Sequence, residues 1–130
     1  MAAVEFALIA MVFFTLLLGI LEFGRVLFTW NSAVETTRYG ARVAVVCDIG
    51  SSAVLSSMQQ IMPDILSTNV AVTYEPSGCS QSTCERVKVK LQGLSVTPLI
   101  PFLDLPLTVP AFETSLLRES LSSTSNPVCS

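Results

Sequence analysis

Histidine is missing altogether, and with it go the commonest general base and the commonest metal ligand. Charge is scarce: Asp, Glu, Lys and Arg make up 13% of the 130 residues, and the net charge is −3. With no basic cluster, nucleic acid is not an expected partner. There is no Gly-rich phosphate loop, and no carboxylate pair is placed for acid–base work. No internal repeat is visible. These absences leave the enzyme classes without residues to carry them, and neither a catalytic group nor a cofactor is expected. A structural or binding protein remains.

What is abundant is apolar sequence, 51% of the chain, and much of that bias sits in the first 30 positions. From Met1 to Leu21 only Thr15, Gly19 and Glu5 interrupt it. As helix, these residues reach about 31 Å, the thickness of a bilayer's hydrocarbon core. The pattern then turns two-faced. Phe23, Val26, Leu27, Trp30, Ala33, Val34, Ala41, Ala44 and Val45 recur at three- and four-residue spacing, while Glu22, Arg25, Thr29, Ser32, Glu35, Tyr39 and Arg42 follow the other side. No proline intervenes before Pro63, so the spacing predicts one helix to Val46, about 70 Å long. A small domain cannot cover such a rod alone. The expected organisation is a transmembrane or filament-core helix over 1–25, its amphipathic continuation over 26–46, a head over 47–119 and a Ser-rich tail over 120–130.

Glu5 is costly to bury as a charge. It either snorkels to the headgroups or needs a cation in apolar surroundings, and the nearest is the α-amino group of Met1, its own or that of a staggered neighbour. That second reading takes Met1 as the mature N-terminus. A signal peptide does not fit residues 1–24, because no Lys or Arg precedes Arg25 and amphipathic helix replaces a small-residue cleavage site. Glu22 with Arg25 and Glu35 with Arg38 are pairs one turn apart, the second read as a solvated face. Gly19, Gly24 and Gly40 are poor helix formers that permit either close packing or bending.

Three stretches are specific: Ala3-Val4-Glu5-Phe6-Ala7-Leu8-Ile9-Ala10, then Leu17-Leu18-Gly19-Ile20-Leu21-Glu22-Phe23-Gly24-Arg25, then Thr37-Arg38-Tyr39-Gly40-Ala41-Arg42. Together they resemble the TadE-like family, pilin-like proteins of tight-adherence (Flp, type IVc) pili. The resemblance covers residues 3–46 and is loose beyond. It implies a precursor in the inner membrane, cut by a prepilin peptidase so that Glu5 is the fifth mature residue. It also implies a pilus assembly platform as partner and a homo-oligomeric helical filament, held by N-terminal helices, at the cell surface. The family's usual proline after this first stretch is Met11 here, which fits an uninterrupted helix. The family includes both filament subunits and minor, assembly-priming pilins, and the residues do not choose between them. A single-pass membrane protein whose head binds a partner without polymerising is the reading from another class.

Beyond the helix, Asp48-Ile49-Gly50-Ser51-Ser52 reads as a helix stop followed by N-cap candidates. A second helix is expected over Ala53 to Leu66, with Val54, Leu55, Met58, Ile61, Met62, Ile65 and Leu66 as its apolar face and Pro63 kinking or ending it. Alternation predicts strands over Asn69–Glu75 and Arg86–Gln92, and a weaker third over Ala111–Arg118. Cys79 and Cys84 flank the tip of a hairpin between the first two. Four residues separate them, so this is not the redox C-x-x-C motif. A local Cys79–Cys84 bridge would leave Cys47 to bond Cys129; an all-thiolate zinc site is the less favoured use of the same four residues. Leu94 to Pro110 holds Pro98, Pro101, Pro106 and Pro110, which exclude a regular helix or a central strand. Ile100, Phe102 and Leu103 within it form either part of the subunit's own core or a lip that packs on a neighbour. The tail is mobile unless Cys129 holds it. The fold expected is α+β: a long N-terminal helix, transmembrane then amphipathic, one further helix and a small antiparallel β-sheet head.

Overall fold

The structure, a computed structural model, describes residues 2–98 and 106–129. Met1, Ile100, Phe102 and Leu103 lie outside those residues. The fold is α+β, with one long helix carrying a small head at its C-terminal end.

Helix α1 (Ala2–Ala44) runs unbroken for 43 residues, about 64 Å at 1.5 Å per residue. Met11 keeps the backbone N–H that a proline would remove, and the helix passes straight through it. Only the last third of α1 is covered. Its buried residues are Ala33, Thr36, Thr37, Gly40, Ala41, Val43 and Ala44, a stripe of mostly small side chains at three- and four-residue spacing. The expected apolar face is kept in its C-terminal half, where Ala33, Ala41, Ala44 and Val45 are buried, but Phe23, Leu27 and Trp30 are exposed, and Thr36, Thr37 and Gly40 join the packed face. Small residues let other elements come close to the helix axis, which bulky ones would prevent. Thr37 donates its hydroxyl to the Ala33 and Val34 carbonyls, satisfying itself within the helix.

Helix α2 (Ala53–Ile61) lies across this stripe. It stops five residues short of the expected end. Pro63 disfavours helical backbone at Met62, which is extended (φ −128°, ψ 91°). Leu66, once outside the helix, leaves the apolar face and is 64% exposed, whereas Ile65 is buried. Ser52 makes no side-chain cap; the Ser51 hydroxyl accepts the Ala53 N–H instead. Met58 is fully buried and occupies the space that a side chain at Gly40 would take: a Cβ there would stand 2.6 Å from its Sδ and 2.7 Å from its Cγ.

Strands β1 (Val70–Glu75) and β2 (Arg86–Leu91) form an antiparallel hairpin, with Val72 opposite Val89. Strand β5 (Phe112–Leu117) pairs with the other side of β2, giving the order β1-β2-β5. The period-two alternation sorts the faces. Val87, Val89 and Leu91 are buried toward α1, and Lys88 and Lys90 point outward, where Lys88 pairs with Glu75. The Pro-rich region contributes two two-residue strands, β3 (Ser95–Val96) and β4 (Leu107–Thr108), which pair as a separate ribbon.

The tail is integrated beyond the single attachment that its composition suggests. Leu121 is fully buried. The N–H groups of Glu119 and Leu121 both donate to the Val45 carbonyl and that of Ser122 to Val46, so the tail supplies partners for the carbonyls where α1 ends. Asp48 and Ser123 exchange side-chain to backbone bonds in both directions. Cys47 is bonded to Cys129, and Cys79 to Cys84.

The Gly40–Met58 contact predicts a coupled pair. Gly40→Val should destabilise the subunit by about 1–3 kcal/mol through overpacking, and Met58→Ala alone by about 2–5 kcal/mol through cavity formation. In the double variant the two losses should fall short of their sum. Denaturant unfolding of the full chain in micelles measures this, and strict additivity would refute the contact's role.

Tyr74, on the inner face of β1, generates a pH prediction. Burial raises its pKa above the ordinary 10.0, the Gly50 backbone acts in the opposite direction, and among the described residues no group meets hydrogen-bond geometry at its hydroxyl. The folded state therefore holds the proton more tightly than the unfolded chain. This contribution is fully present below pH 10.0 and is lost as pH rises through the higher folded value. Tyr74→Phe should flatten the fall in melting temperature between about pH 8 and about pH 11. Near neutral pH it should cost nothing, or stabilise by up to about 1 kcal/mol, since it removes an unpaired buried hydroxyl.

Candidate assembly and membrane interface

Most of the other two thirds of α1 is apolar and solvent-exposed, with half-buried positions at Ala10, Glu22, Arg25, Val26 and Thr29. From Ala2 to Leu21 every residue is exposed except half-buried Ala10. The exposure is not confined to one stripe: Leu16, Leu17 and Leu18 are consecutive and all open, as are Met11, Val12, Phe13 and Phe14. A helix apolar all round is stable in lipid or inside a bundle, not in water. Its mean hydropathy of 2.5 over an 18-residue window, with none of that window buried, is that of a membrane span.

Apolar exposure continues past the length a bilayer needs. Phe23, Leu27, Phe28 and Trp30 lie beyond the roughly 20 residues that cross the hydrocarbon core. Phe28, at 72%, is nearly as open as Phe6, at 74%. Between them sits a polar junction. Arg25 bridges to Glu22 at 3.0 Å, and the same guanidinium donates to the Thr97 carbonyl at the end of ribbon strand β3. The pair is partly screened from solvent, with side-chain exposures of 37% for Arg25 and 18% for Glu22. It attaches the head to the helix below the packed stripe. Arg38 and Glu35, by contrast, stand 3.9 Å apart on an open face, where such a pair adds little.

Of the sequence-derived site residues, the described ones, Glu5 and the four cysteines, fall at opposite ends of the described residues. Glu5 is exposed in the first turn of α1, where the helix N-terminus favours a negative charge. Among the described residues it meets no cation. Cys47 lies 42 residues further on, about 63 Å along the helix direction, with its partner Cys129. The Cys79–Cys84 bridge closes the β-hairpin tip at the same distal end, where Gln81 on that tip reaches Asp48. All four sulfurs are in disulfides, so no thiolate is left for a metal. Among the described residues no cluster of His, Cys, Asp or Glu is arranged to hold one. The Arg25–Thr97 attachment was not legible in the sequence, because 72 residues separate the partners and the acceptor is a backbone carbonyl.

The sequence model of the family described as TadE-like protein matches residues 1–42, which is α1 almost to its end and none of the head. Neither the curated proteins nor the solved structures contain a match to the chain.

Proposed function

From the TadE-like match over residues 1–42, which associates the chain with Tad pili, we propose that it is a structural pilin subunit. In this reading the subunit waits in the inner membrane and then polymerises, α1 against α1, into a filament at the cell surface. The observation that carries it is the division of one continuous helix. Residues 33–44 are packed under the head, while most apolar residues of 2–30 are exposed and extend past the length of a bilayer. A plain anchor needs no exposed Phe23 and Phe28 beyond its span; a bundle of such helices covers them. The division at residue 25 into a lipid and filament-core segment and a head-bearing continuation belongs to this reading.

Glu5 takes the docking role. In lipid it lies at a helix end, near the headgroups; in a bundle it needs a cationic group from the neighbouring subunit. Glu5→Ala should leave the subunit in the membrane fraction, since removing a charge eases insertion. Filament yield should fall about tenfold or more, the change that roughly 1.4 kcal/mol per docking step brings. Electron microscopy and sheared-filament yield measure the effect; unchanged piliation would point to a subunit that never polymerises. Filaments that persist in full when the gene is deleted would overturn the reading, since loss of either a bulk subunit or a priming pilin lowers filament yield.

Phe102 and Leu103 are proposed as a second contact between subunits. The described stems of their segment support this. Ser95–Val96 pairs with Leu107–Thr108, and Arg25 binds the Thr97 carbonyl, so both ends of the segment start close to α1 where its exposed surface begins. Phe102→Ser should lower filament yield while leaving the melting temperature of the subunit in micelles within about 2 °C. A larger drop would assign Phe102 to the subunit's own core.

A further inference from the structure

The attachment of the head to α1 at Arg25 sets its height above a membrane. With residues 2–21 spanning the hydrocarbon core, Arg25 stands four residues further on, about 6 Å along the helix. The headgroup layer is about 5–7 Å thick on each side. The Thr97 carbonyl held by Arg25 is therefore at headgroup level, and so is the edge of the head around it. That edge borders a cavity shared by Arg25, Thr29, Leu66 and Thr97. Two large apolar side chains there are open although the head has a core that could take them: Leu66 at 64% and Leu107, opposite Val96 in the ribbon, at 42%. Phe23 on α1, about 3 Å past Leu21, lies within the same layer, whereas Phe28 and Trp30, about 10 and about 14 Å past it, stand above it.

We infer that the lower edge of the head is a membrane-contacting foot, which rests on the bilayer surface and inserts Leu66 and Leu107 at the headgroup–acyl boundary. This rests on the membrane-held precursor of the reading above. The occupant is lipid because the foot continues the exposed apolar surface of α1 at the depth where α1 leaves the hydrocarbon. The charged side chains lining the cavity, Arg25 and Asp64, are of opposite sign, and Arg25 is bridged to Glu22, so the contact is apolar and needs no anionic lipid. The precursor head then lies down on the membrane instead of standing off on a stalk.

The chain has a single tryptophan, so Trp30→Phe makes a silent background. Into it go Leu66→Trp, Leu107→Trp or, as the control, Leu117→Trp. Leu117 is 70% exposed and pairs with Arg86 at the hairpin-tip end of the sheet, the end linked to Asp48 beyond α1. Each full-length variant is reconstituted into phosphatidylcholine vesicles carrying a spin label near the glycerol. The emission of Trp at 66 and at 107 should be quenched at least about twofold more than at 117. Equal quenching at all three, in protein that floats with the vesicles, overturns the foot and leaves the membrane-held precursor standing. Failure to float removes the membrane-held precursor and the foot with it. Shielding of position 66 or 107 that grows with the protein-to-lipid ratio, without quenching, gives the face to a second copy of the chain and equally overturns the proposal.

Discussion

Burial of the Ala33–Ala44 face of α1 is the contact on which every other part of the head depends. The sheet lays Val87, Val89 and Leu91 toward it, α2 crosses it through Met58 at Gly40, and the tail closes its C-terminal end through the Val45 and Val46 carbonyls. The stripe is built of alanine, threonine and glycine, so its strength comes from close approach of backbones more than from large side chains on the helix itself. The large side chains come from the partners, Met58, Ile65 and Leu121 among them. A head of this size buries a modest core. Its two disulfides lie at the hairpin tip and between the helix end and the tail, where loops and a Ser-rich terminus would otherwise contribute little.

The same helix has to satisfy two solvents. Its backbone hydrogen bonds are internal, which lets residues 2–21 lie in hydrocarbon without unpaired backbone groups along the span. Lipid chains are as apolar as leucine, so moving such a helix from a bilayer into a filament gains nothing from the hydrophobic effect as such; packing and polar contacts have to supply the preference. On the proposed pilin function this places weight on the few polar positions of the exposed segment. Glu5 is one of them. The Glu22–Arg25 pair is already committed to the head through Thr97, which ties the orientation of the head to the helix that carries it.

The patterns with short-range causes were open to reading. An uninterrupted apolar helix follows from the absence of proline before Pro63, and the β1–β2 hairpin from period-two alternation on either side of a turn-rich tip. The type IV pilin-like N-terminus was recognisable in residues 3–46, and the family match over 1–42 overlaps that stretch. Pro63 marked the second helix's weak point, and of the two outcomes it allowed, a kink or an end, the helix ends before the proline. Each of these depends on neighbours within a turn or a pleat, and local sterics and hydrogen bonding are encoded where they act.

Which face of α1 is covered was decided only in the tertiary structure. The hydrophobicity pattern included Ala33, Ala41 and Ala44 but ran on to Phe23, Leu27 and Trp30 and passed over Thr36, Thr37 and Gly40; close packing selects small residues, and that preference appears only when a partner such as Met58 is present. Leu121 looked like part of a polar tail because nothing adjacent to it in sequence is apolar, yet its partners stand across the fold. The Arg25 contact with Thr97 and the capping of α1 by residues 119–122 join groups some 70 positions apart, most of them through backbone carbonyls, which every residue carries. The sequence by itself determined that a long apolar helix exists and that water cannot be its final solvent. The tertiary structure decided how much of that helix the head covers and at what height the head is fastened, because those depend on which distant groups meet, not on which residues are neighbours in the chain.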